Sequence, residues 1–364
     1  MKVIISGGGT GGHVFPAIAI AKALIKMDAD MAILFIGAEG KIEMEKVPNA
    51  GFKIVGLPVS GFQRKLTLRN LSFPFKLIRS LLKARKIIKD FKPNVVIGTG
   101  GYASGPALKI ASRMGIPTVL QEQNSYAGVT NRLLAQKASA ICVAYDGLSK
   151  FFPGDKIRVT GNPVRKDLII DENEKAFAKA HFGLDNNKKT ILVMGGSLGA
   201  RTINRAMEAA KEQIEQRPDV QVIWQMGRLY EDQFMNCPTA QLPNVHPMVF
   251  IDRMDYAYAV ADVAVCRAGA LTISELMVAG VPAVLIPSPN VAEDHQTNNA
   301  MALVNSGAAL MVKDVEAKEK LWPATIQLLD DEGLRKKLKT KLLSLAKPDA
   351  DTEIAKIAVS VAKV

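Results

Sequence analysis

The feature that most constrains the fold is a strand that runs directly into a glycine loop and then into a helix, because it occurs twice. Residues 2–12 read KVIISGGGTGG, and residues 190–200 read TILVMGGSLGA. Apolar residues at helical spacing follow each loop. A strand, a glycine turn and a helix start form the opening unit of a nucleotide-binding α/β domain. Its repetition predicts two similarly built domains, and a chain of 364 residues is long enough for both.

Short apolar runs elsewhere predict further buried strands. They cover residues 32–36, 95–97, 118–120, 140–143, 156–160, 220–224, 262–265 and 282–286. Helical stretches lie between them, so we expect the α/β class with parallel sheets in both halves. The domain junction is expected at residues 161–163, where Gly-Asn-Pro follows a strand. The last residues, 352–364, show the pattern of a short amphipathic helix.

The composition excludes several classes of protein. Hydrophobic residues make up 48% of the chain and charged residues 23%, which is typical of a globular protein. No stretch reaches the ~18 consecutive apolar residues of a membrane-spanning helix. The apolar run near the N-terminus is too short for a signal peptide, so we expect the chain to stay in the cytoplasm. Cys142, Cys237 and Cys266 are far apart, which argues against a disulfide framework or a zinc knuckle.

Positive charge is concentrated in one segment. The net charge is +12, and ten Lys and Arg residues lie between Arg64 and Lys92 against one acid, Asp90. Because Leu and Phe are interleaved with these charges, the segment predicts docking on an anionic bilayer. The alternative is a solvated helix face whose apolar side belongs to the core. Nucleic acid is disfavoured, because aromatic and basic residues do not interleave as in RNA-binding proteins. The candidate docking residues are Arg69, Phe73, Phe75, Lys76, Arg79 and Lys83.

The first glycine loop, residues 7–12, satisfies the pattern GxGxxG. Backbone N–H groups in such a loop can cradle a phosphate or pyrophosphate. On this loop alone a dehydrogenase stays open, because Glu39 could serve as the acid that binds the ribose of a dinucleotide. Two features weaken that interpretation: His13 directly follows the loop, and a second glycine loop opens the other half.

The second half adds the run RAGALTISE, residues 267–275, after a predicted strand. We expect Thr272 or Ser274 to cap the next helix and Glu275 to lie in its first turn. Glu275 then either caps that helix or accepts both hydroxyls of a ribose.

Two further groups of polar residues were considered as ligand sites. The run EDHQTNN, residues 293–299, can bond sugar hydroxyls, but one His and two adjacent acids make a poor metal site. Two Asp-x-Asp triplets, residues 28–30 and 349–351, follow no predicted strand. We interpret them as solvated loop or helix-end acids rather than as a metal–nucleotide clamp.

Together these runs resemble the MurG family of bacterial N-acetylglucosaminyltransferases. The resemblance is carried by seven motifs in order, at residues 7–21, 98–106, 121–132, 161–165, 195–201, 267–275 and 294–300. It implies the GT-B fold: two Rossmann-like domains that face a cleft, with a C-terminal helix that crosses back to the first domain. The implied domains are 1–162 for the acceptor and the membrane, 163–345 for the UDP-sugar, and the returning helix, 346–364. One departure is that the membrane-facing segment contains no tryptophan.

The resemblance also implies the reaction. The donor is UDP-N-acetylglucosamine, the acceptor is lipid I (undecaprenyl-pyrophosphoryl-MurNAc-pentapeptide) and the product is lipid II. The anomeric centre is inverted, and neither a cofactor nor a structural metal is needed. Carried over by position, the donor contacts are Thr10, Gly11, Gly12, Asn124, Arg165, Ser197, Ile251, Ala270, Leu271, Thr272, Ile273, Ser274, Glu275 and Gln296. At Ile251 a backbone group would contact the uracil.

His13 is the candidate general base, because an unperturbed histidine pKa near 6.5 suits proton removal at neutral pH. Its alternative role is only to bind phosphate or to orient the substrate. Two other functions stay open at this point. One is a UDP-N-acetylglucosamine epimerase of the same fold, which has no use for the basic, apolar segment. The other is a peripheral scaffold without activity, which has no use for two glycine loops.

Overall fold

The computed structural model describes residues 1–59, 73–165, 168 and 171–362. The chain divides into two compact units. The first comprises Met1–Val164 and Pro348–Val364, and the second comprises Arg165–Lys347. The predicted residue Arg69 lies outside the described residues, and of Phe73 only the backbone is described.

The described part of the first unit contains a parallel sheet of seven strands with the order β3-β2-β1-β4-β5-β6-β7. The strands are β1 (Lys2–Ser6), β2 (Ala32–Ala38), β3 (Lys53–Leu57), β4 (Val95–Gly98), β5 (Thr118–Glu122), β6 (Ala140–Val143) and β7 (Ile157–Val159). The helices are α1 (Gly11–Met27), α2 (Glu43–Asn49), α3 (Phe73–Phe91), α4 (Ser104–Arg113) and α5 (Val129–Leu134). Val3, Ile4 and Ile5 of β1 are fully buried, because helices cover both faces of the sheet.

The second unit repeats this plan with a parallel sheet of six strands in its described residues, in the order β10-β9-β8-β11-β12-β13. The strands are β8 (Lys189–Met194), β9 (Val220–Gln225), β10 (Val245–Met248), β11 (Val263–Cys266), β12 (Ala283–Leu285) and β13 (Leu310–Met311). The helices are α6 (Glu172–His181), α7 (Arg201–Ala209), α8 (Lys211–Glu215), α9 (Glu231–Phe234), α10 (Met254–Val260), α11 (Ala270–Ala279), α12 (His295–Asn305), α13 (Ala317–Asp330) and α14 (Glu332–Leu345). The predicted α/β class with parallel sheets is confirmed in both units.

The last helix, α15 (Ala350–Ala362), packs against α1 and belongs to the first unit. Its buried residues Ile354, Ala355 and Ala358 join the core on the α1 side of the first sheet. Asp351 lies in the first turn of this helix, which agrees with the interpretation of the second Asp-x-Asp triplet as helix-end acids, but it is buried rather than solvated. The C-terminal helix is thus part of the hydrophobic core of the first unit.

No helix among the described residues is long and apolar enough to span a membrane.

We expect Ile354→Ala to lower the free energy of unfolding of the first unit by about 2–5 kcal/mol, the usual cost of such a truncation in a core. Ile354 is fully buried, whereas Lys356 on the same helix is exposed. Denaturant unfolding followed by circular dichroism measures the change, with Lys356→Ala as the matched control. Equal stability of the two variants would mean that α15 contributes nothing to the core.

Candidate functional site

Each sheet has one point at which its strand order reverses, and the glycine loops leave from it. In the first sheet this point lies between β1 and β4, and in the second between β8 and β11. Ligands of open α/β sheets bind at the carboxyl ends of the strands beside such a point. In the first unit, residues 7–10 follow β1 and residues 99–103 follow β4. In the second, residues 195–200 follow β8 and residues 267–269 follow β11.

Most glycines of the first loop are required by the protein itself. A Cβ at Gly7 would lie 1.9 Å from Oγ1 of Thr99, and one at Gly8 would lie 2.0 Å from Oε1 of Glu43. Gly12 differs, because its Cβ would have its nearest neighbour at 3.7 Å, which is ordinary contact. Gly12 is also exposed at the start of α1. Of these glycines, Gly12 is therefore the one that leaves room for a ligand.

Glu43 fixes the first glycine loop through a hydrogen bond to its backbone. This side chain is fully buried at the start of α2, and its two oxygens accept hydrogen bonds from the N–H groups of Gly9 and Ala38, each at 2.9 Å. Such charge-assisted bonds offset the cost of burying a carboxylate. Burial, followed by the charge of Glu43, raises the pKa of Tyr102 beside the loop. Sequence analysis missed Glu43, because nothing in the run KIEMEK separates it from its exposed neighbour Glu45.

We expect Glu43→Gln to destabilise the first unit by about 1–3 kcal/mol, because the amide nitrogen would place a buried donor against a backbone N–H. Glu45→Gln on the same helix is the control, since the Glu45 side chain is exposed. Urea unfolding of both variants gives the comparison. A Glu43 variant as stable as the control would show that the loop does not depend on this carboxylate.

His13 lies at the switch point of the first sheet. Its Nδ1 is 3.0 Å from the carbonyl oxygen of Thr99 and 3.1 Å from Oε1 of Gln123. The Gln123 amide nitrogen donates to the same Thr99 carbonyl at 2.6 Å, which fixes the orientation of the amide. Both neighbours of Nδ1 are acceptors, so Nδ1 carries the proton and Nε2 of the neutral ring is the basic nitrogen. A Cβ at Gly100 would lie 2.8 Å from Nδ1, so this glycine makes room for the ring.

Asn124 lies in a loop that a second buried carboxylate organises. Oε1 of Glu122 accepts from the backbone N–H of Asn124 at 3.1 Å. Its Oε2 accepts from the N–H of Gly128 at 3.0 Å and from the side chain of Asn131 at 2.8 Å. The position of Asn124 therefore depends on Glu122 at the end of β5.

The second glycine loop is held by Gln225 at the end of β9. Its Oε1 accepts from the N–H of Gly195 at 3.1 Å, and its amide nitrogen donates to the carbonyl of Gly196 at 2.8 Å. A Cβ at Gly199 would lie 2.0 Å from a backbone oxygen, but one at Gly196 would have nothing within 4 Å. Gly196 and Ser197 are exposed. The open part of this loop is therefore residues 196–198, which includes the predicted contact Ser197.

Helix α11 begins at Ala270, with Gly269 as its N-cap and no side-chain cap. The prediction that Thr272 or Ser274 caps this helix is wrong, because both lie inside it and Ser274 donates back to the carbonyl of Ala270 at 2.9 Å. A Cβ at Gly269 would meet its nearest neighbour at 3.6 Å. Because the protein leaves space there, a ligand can approach the N-terminus of α11 closely.

The predicted contacts along α11 differ in exposure. The side chains of Ile273 and Ser274 are buried, whereas those of Ala270, Leu271 and Thr272 are partly exposed. Ile251, which follows β10, is also buried. Where a side chain is buried, a ligand can reach the residue only through its backbone.

Glu275 lies in the second turn of α11, so its prediction as a first-turn cap is wrong. Oε2 accepts a hydrogen bond from the hydroxyl of Tyr258 at 3.0 Å, and Oε1 lies 3.3 Å from Nε of Arg165. The Glu275 side chain remains 16% exposed. Tyr258 was missed by sequence analysis, because a tyrosine among the alanines and the valine of a helix looks like a core residue. The carboxylate is thus held from two sides while part of it faces solvent.

The polar run at residues 293–299 adds Gln296, whose Oε1 accepts from the N–H of Ser288 at 2.9 Å. Glu293 and Asp294 have the positive φ angles of 57° and 49°, so the chain turns sharply before α12 begins at His295. Such left-handed backbone is uncommon outside glycine and often marks a functional loop. This run joins the loop after β12 to α12 at the carboxyl edge of the second sheet.

Helix α3 presents two separate apolar stripes. Ala84 and Ile88 are buried in the core of the first unit. Phe75, Ile78 and Leu82 are 77%, 57% and 63% exposed. Among the predicted docking residues, Lys76 and Arg79 are exposed, and Lys83 is half-buried and pairs with Glu39 at 2.9 Å. The predicted alternative, in which the apolar side of the helix belongs to the core, therefore holds for one stripe and not for the other.

Comparisons with known proteins agree with this architecture. Residues 3–143 match the glycosyltransferase family 28 N-terminal domain, and residues 190–354 match the glycosyltransferase family 28 C-terminal domain. A curated relative from Bacteroides thetaiotaomicron is 54% identical over all of this chain and 98% of its own length. One from Flavobacterium psychrophilum is 51% identical over 97% and 95%. Both are named UDP-N-acetylglucosamine--N-acetylmuramyl-(pentapeptide) pyrophosphoryl-undecaprenol N-acetylglucosamine transferase.

Solved structures share the fold. The crystal structure of MurG from Acinetobacter baumannii has a TM-score of 0.79 and 29% identity, with 99% of each chain covered. A UDP-GlcNAc 2-epimerase from Neisseria meningitidis has a TM-score of 0.67 over 99% of each chain, but its 18% identity indicates a common fold and no more. Both family models and relatives that span the whole chain therefore show that the chain belongs to glycosyltransferase family 28 and, within it, to the MurG family.

Proposed function

We propose that this protein transfers N-acetylglucosamine from UDP-N-acetylglucosamine to the 4-hydroxyl of the muramoyl sugar of lipid I, with inversion, to give lipid II for peptidoglycan. The relatives that span the whole chain are named for this transfer. The second unit binds the donor, and the first unit binds the acceptor and the membrane.

The observation that carries the donor assignment is the pairing of Gly269 with Glu275 on α11. Gly269 leaves space at the N-terminus of a ten-residue helix, where backbone N–H groups and the helix dipole favour a diphosphate. One and a half turns further on, Glu275 presents a partly exposed carboxylate that suits the hydroxyls of a ribose. The uracil then contacts the backbone of Ile251, and Ser197, Arg165 and Gln296 are further donor contacts.

The first unit supplies the base. The acceptor hydroxyl must lose a proton as it attacks the anomeric carbon, and UDP must leave with its charge stabilised. His13 donates from Nδ1 to the Thr99 carbonyl, so Nε2 is the nitrogen that accepts the proton of the acceptor hydroxyl. N–H groups of Thr10, Gly11 and Gly12 at the start of α1 suit the acceptor's pyrophosphate. Donors around the second glycine loop stabilise the leaving diphosphate.

Incubation with radiolabelled UDP-N-acetylglucosamine and a lipid I analogue tests the function. Label in the lipid supports the transferase. Label in a free epimer would instead support the alternative, an epimerase of the same fold. Recovery of unchanged donor would contradict both activities.

We expect His13→Ala to lower kcat by about 10²–10⁴, the usual contribution of a general base. Affinity for UDP should stay nearly unchanged, because the proposed donor site lies in the second unit. His181→Ala is the control, since His181 is exposed on α6. Initial rates at saturating substrates and UDP titrations give both quantities. Wild-type kcat in the His13 variant would assign proton removal to another group.

The exposed stripe of α3 is the proposed contact with the membrane. Phe75, Ile78 and Leu82 project among Lys76 and Arg79, so apolar side chains can enter the bilayer while the cations meet anionic headgroups. This placement suits a peripheral enzyme on the cytoplasmic face of the bacterial inner membrane. There it would meet its lipid-linked acceptor.

We expect the triple variant Phe75→Ser, Ile78→Ser and Leu82→Ser to bind phosphatidylglycerol vesicles at least about tenfold more weakly. Each of these side chains, once fully buried in the bilayer, contributes about 1.5–3 kcal/mol to the free energy of binding. Turnover of a short-chain, water-soluble acceptor should be unchanged. Phe177→Ser, Leu229→Ser and Val315→Ser remove three exposed apolar side chains from the second unit and serve as the control. Vesicle sedimentation measures binding. Equal binding by the two triple variants would place the docking surface elsewhere.

A further inference from the structure

Tyr258 is a buried polar group that the proposed mechanism does not yet use. It lies on α10, which packs against β8 and α11 within the second unit. Its side chain is 2% exposed and is among the largest that are fully buried. The hydroxyl donates to Oε2 of Glu275 at 3.0 Å and lies 4.0 Å from the sulfur of Met194.

The direction of this hydrogen bond is fixed. Burial first, and then the charge of Glu275, raises the pKa of Tyr258 well above its ordinary value. The phenol therefore stays protonated at neutral pH, and its proton points to the carboxylate, which accepts. A hydrogen bond to a charged acceptor of this kind is stronger than one between neutral groups.

Tyr258 and Arg165, which both contact Glu275, differ in how firmly they are held. Arg165 is 41% exposed and reaches Oε1 through a long side chain, whereas Tyr258 is enclosed by the core. A rigid donor holds its acceptor in one orientation. The acceptor side chain then loses less conformational entropy when the ligand binds. Tyr258 is therefore the group that determines where the Glu275 carboxylate points before the donor arrives.

We infer that Tyr258 is a positioning residue for nucleotide recognition, which holds Glu275 so that its carboxylate accepts the hydroxyls of the donor's ribose. The inference rests on the proposed function, since it needs a uridine diphosphate sugar at α11. It predicts that the tyrosine hydroxyl contributes to affinity only through Glu275, and only when the ribose hydroxyls are present.

The test compares UDP with 2′,3′-dideoxy-UDP, which lacks both ribose hydroxyls. Calorimetry on the full chain should show UDP affinity lowered about tenfold in Tyr258→Phe, as expected for loss of a hydrogen bond to a charged group. Affinity for the dideoxy nucleotide, measured by displacement of UDP-N-acetylglucosamine, should not change. In turnover, the donor KM should rise with little change in kcat. Tyr256→Phe on the same helix is the control and should match the wild type.

A double-mutant cycle separates positioning from simple support of the fold. Glu275→Ala removes the acceptor of the tyrosine hydroxyl, so in this background Tyr258→Phe should have no further effect on UDP binding. A structural role would lower the affinity for both nucleotides equally and would add to the Glu275 change; either result would overturn the inference. Equal affinities of Tyr258→Phe and the wild type for UDP would also overturn the inference. If the wild type does not bind UDP, or if Glu275→Ala binds UDP as tightly as the wild type does, the proposed donor site itself fails. Dideoxy-nucleotide binding by the Phe variant shows that its site is folded.

Discussion

The site of each unit depends on two backbone segments that approach more closely than side chains allow. A Cβ at Gly101 would lie 2.2 Å from the carbonyl oxygen of Gly8, and one at Gly227 would lie 2.1 Å from the nitrogen of Gly199. Gly101, Gly199 and Gly227 have positive φ, which glycine adopts without strain. These contacts join the loop after one strand to the loop after another at the carboxyl edge of its sheet. His13 and the open part of the second glycine loop take their positions from this packing.

Buried carboxylates then fix the conformation of segments around each site, and the two units use these carboxylates differently. In the first unit, Glu43 and Glu122 accept backbone N–H groups, so they stabilise loop shape and do not face a ligand. In the second unit, Glu275 accepts a hydrogen bond from the Tyr258 hydroxyl, forms an ion pair with Arg165 and stays partly exposed. The same residue type therefore serves as scaffold in one unit and as recognition group in the other.

The sequence predicts the fold well where burial is complete and poorly at the edges of the sheets. The strands that were missed, β3, β10 and β13, all lie at an edge. Two of these strands have a weak signal: β13 has only two residues, and β10 contains His246 and Pro247, a proline that an edge strand tolerates. β3 is as long as β1, but a glycine interrupts the apolar run in KIVGL. In the site, Glu275 was found because it follows a glycine and a strand. Its partner Tyr258, and Glu43, could not be found, because periodicity shows that a side chain is buried but not which polar atom it meets.

The glycine patterns show why a motif alone overstates a phosphate site. In the first loop, Gly7 and Gly8 are needed to avoid Thr99 and Glu43, and in the second Gly195 and Gly199 are needed to avoid backbone. These glycines would be required with or without a ligand. Gly196 has space around it, but its positive φ of 84° requires glycine in any case. The informative glycines are Gly12 and Gly269, because neither a close neighbour nor a positive φ requires glycine there. Both are at least partly exposed at the carboxyl edge of their sheet, and both adjoin the start of a helix. The glycine that a ligand requires is thus recognised by the space that the fold leaves open around it.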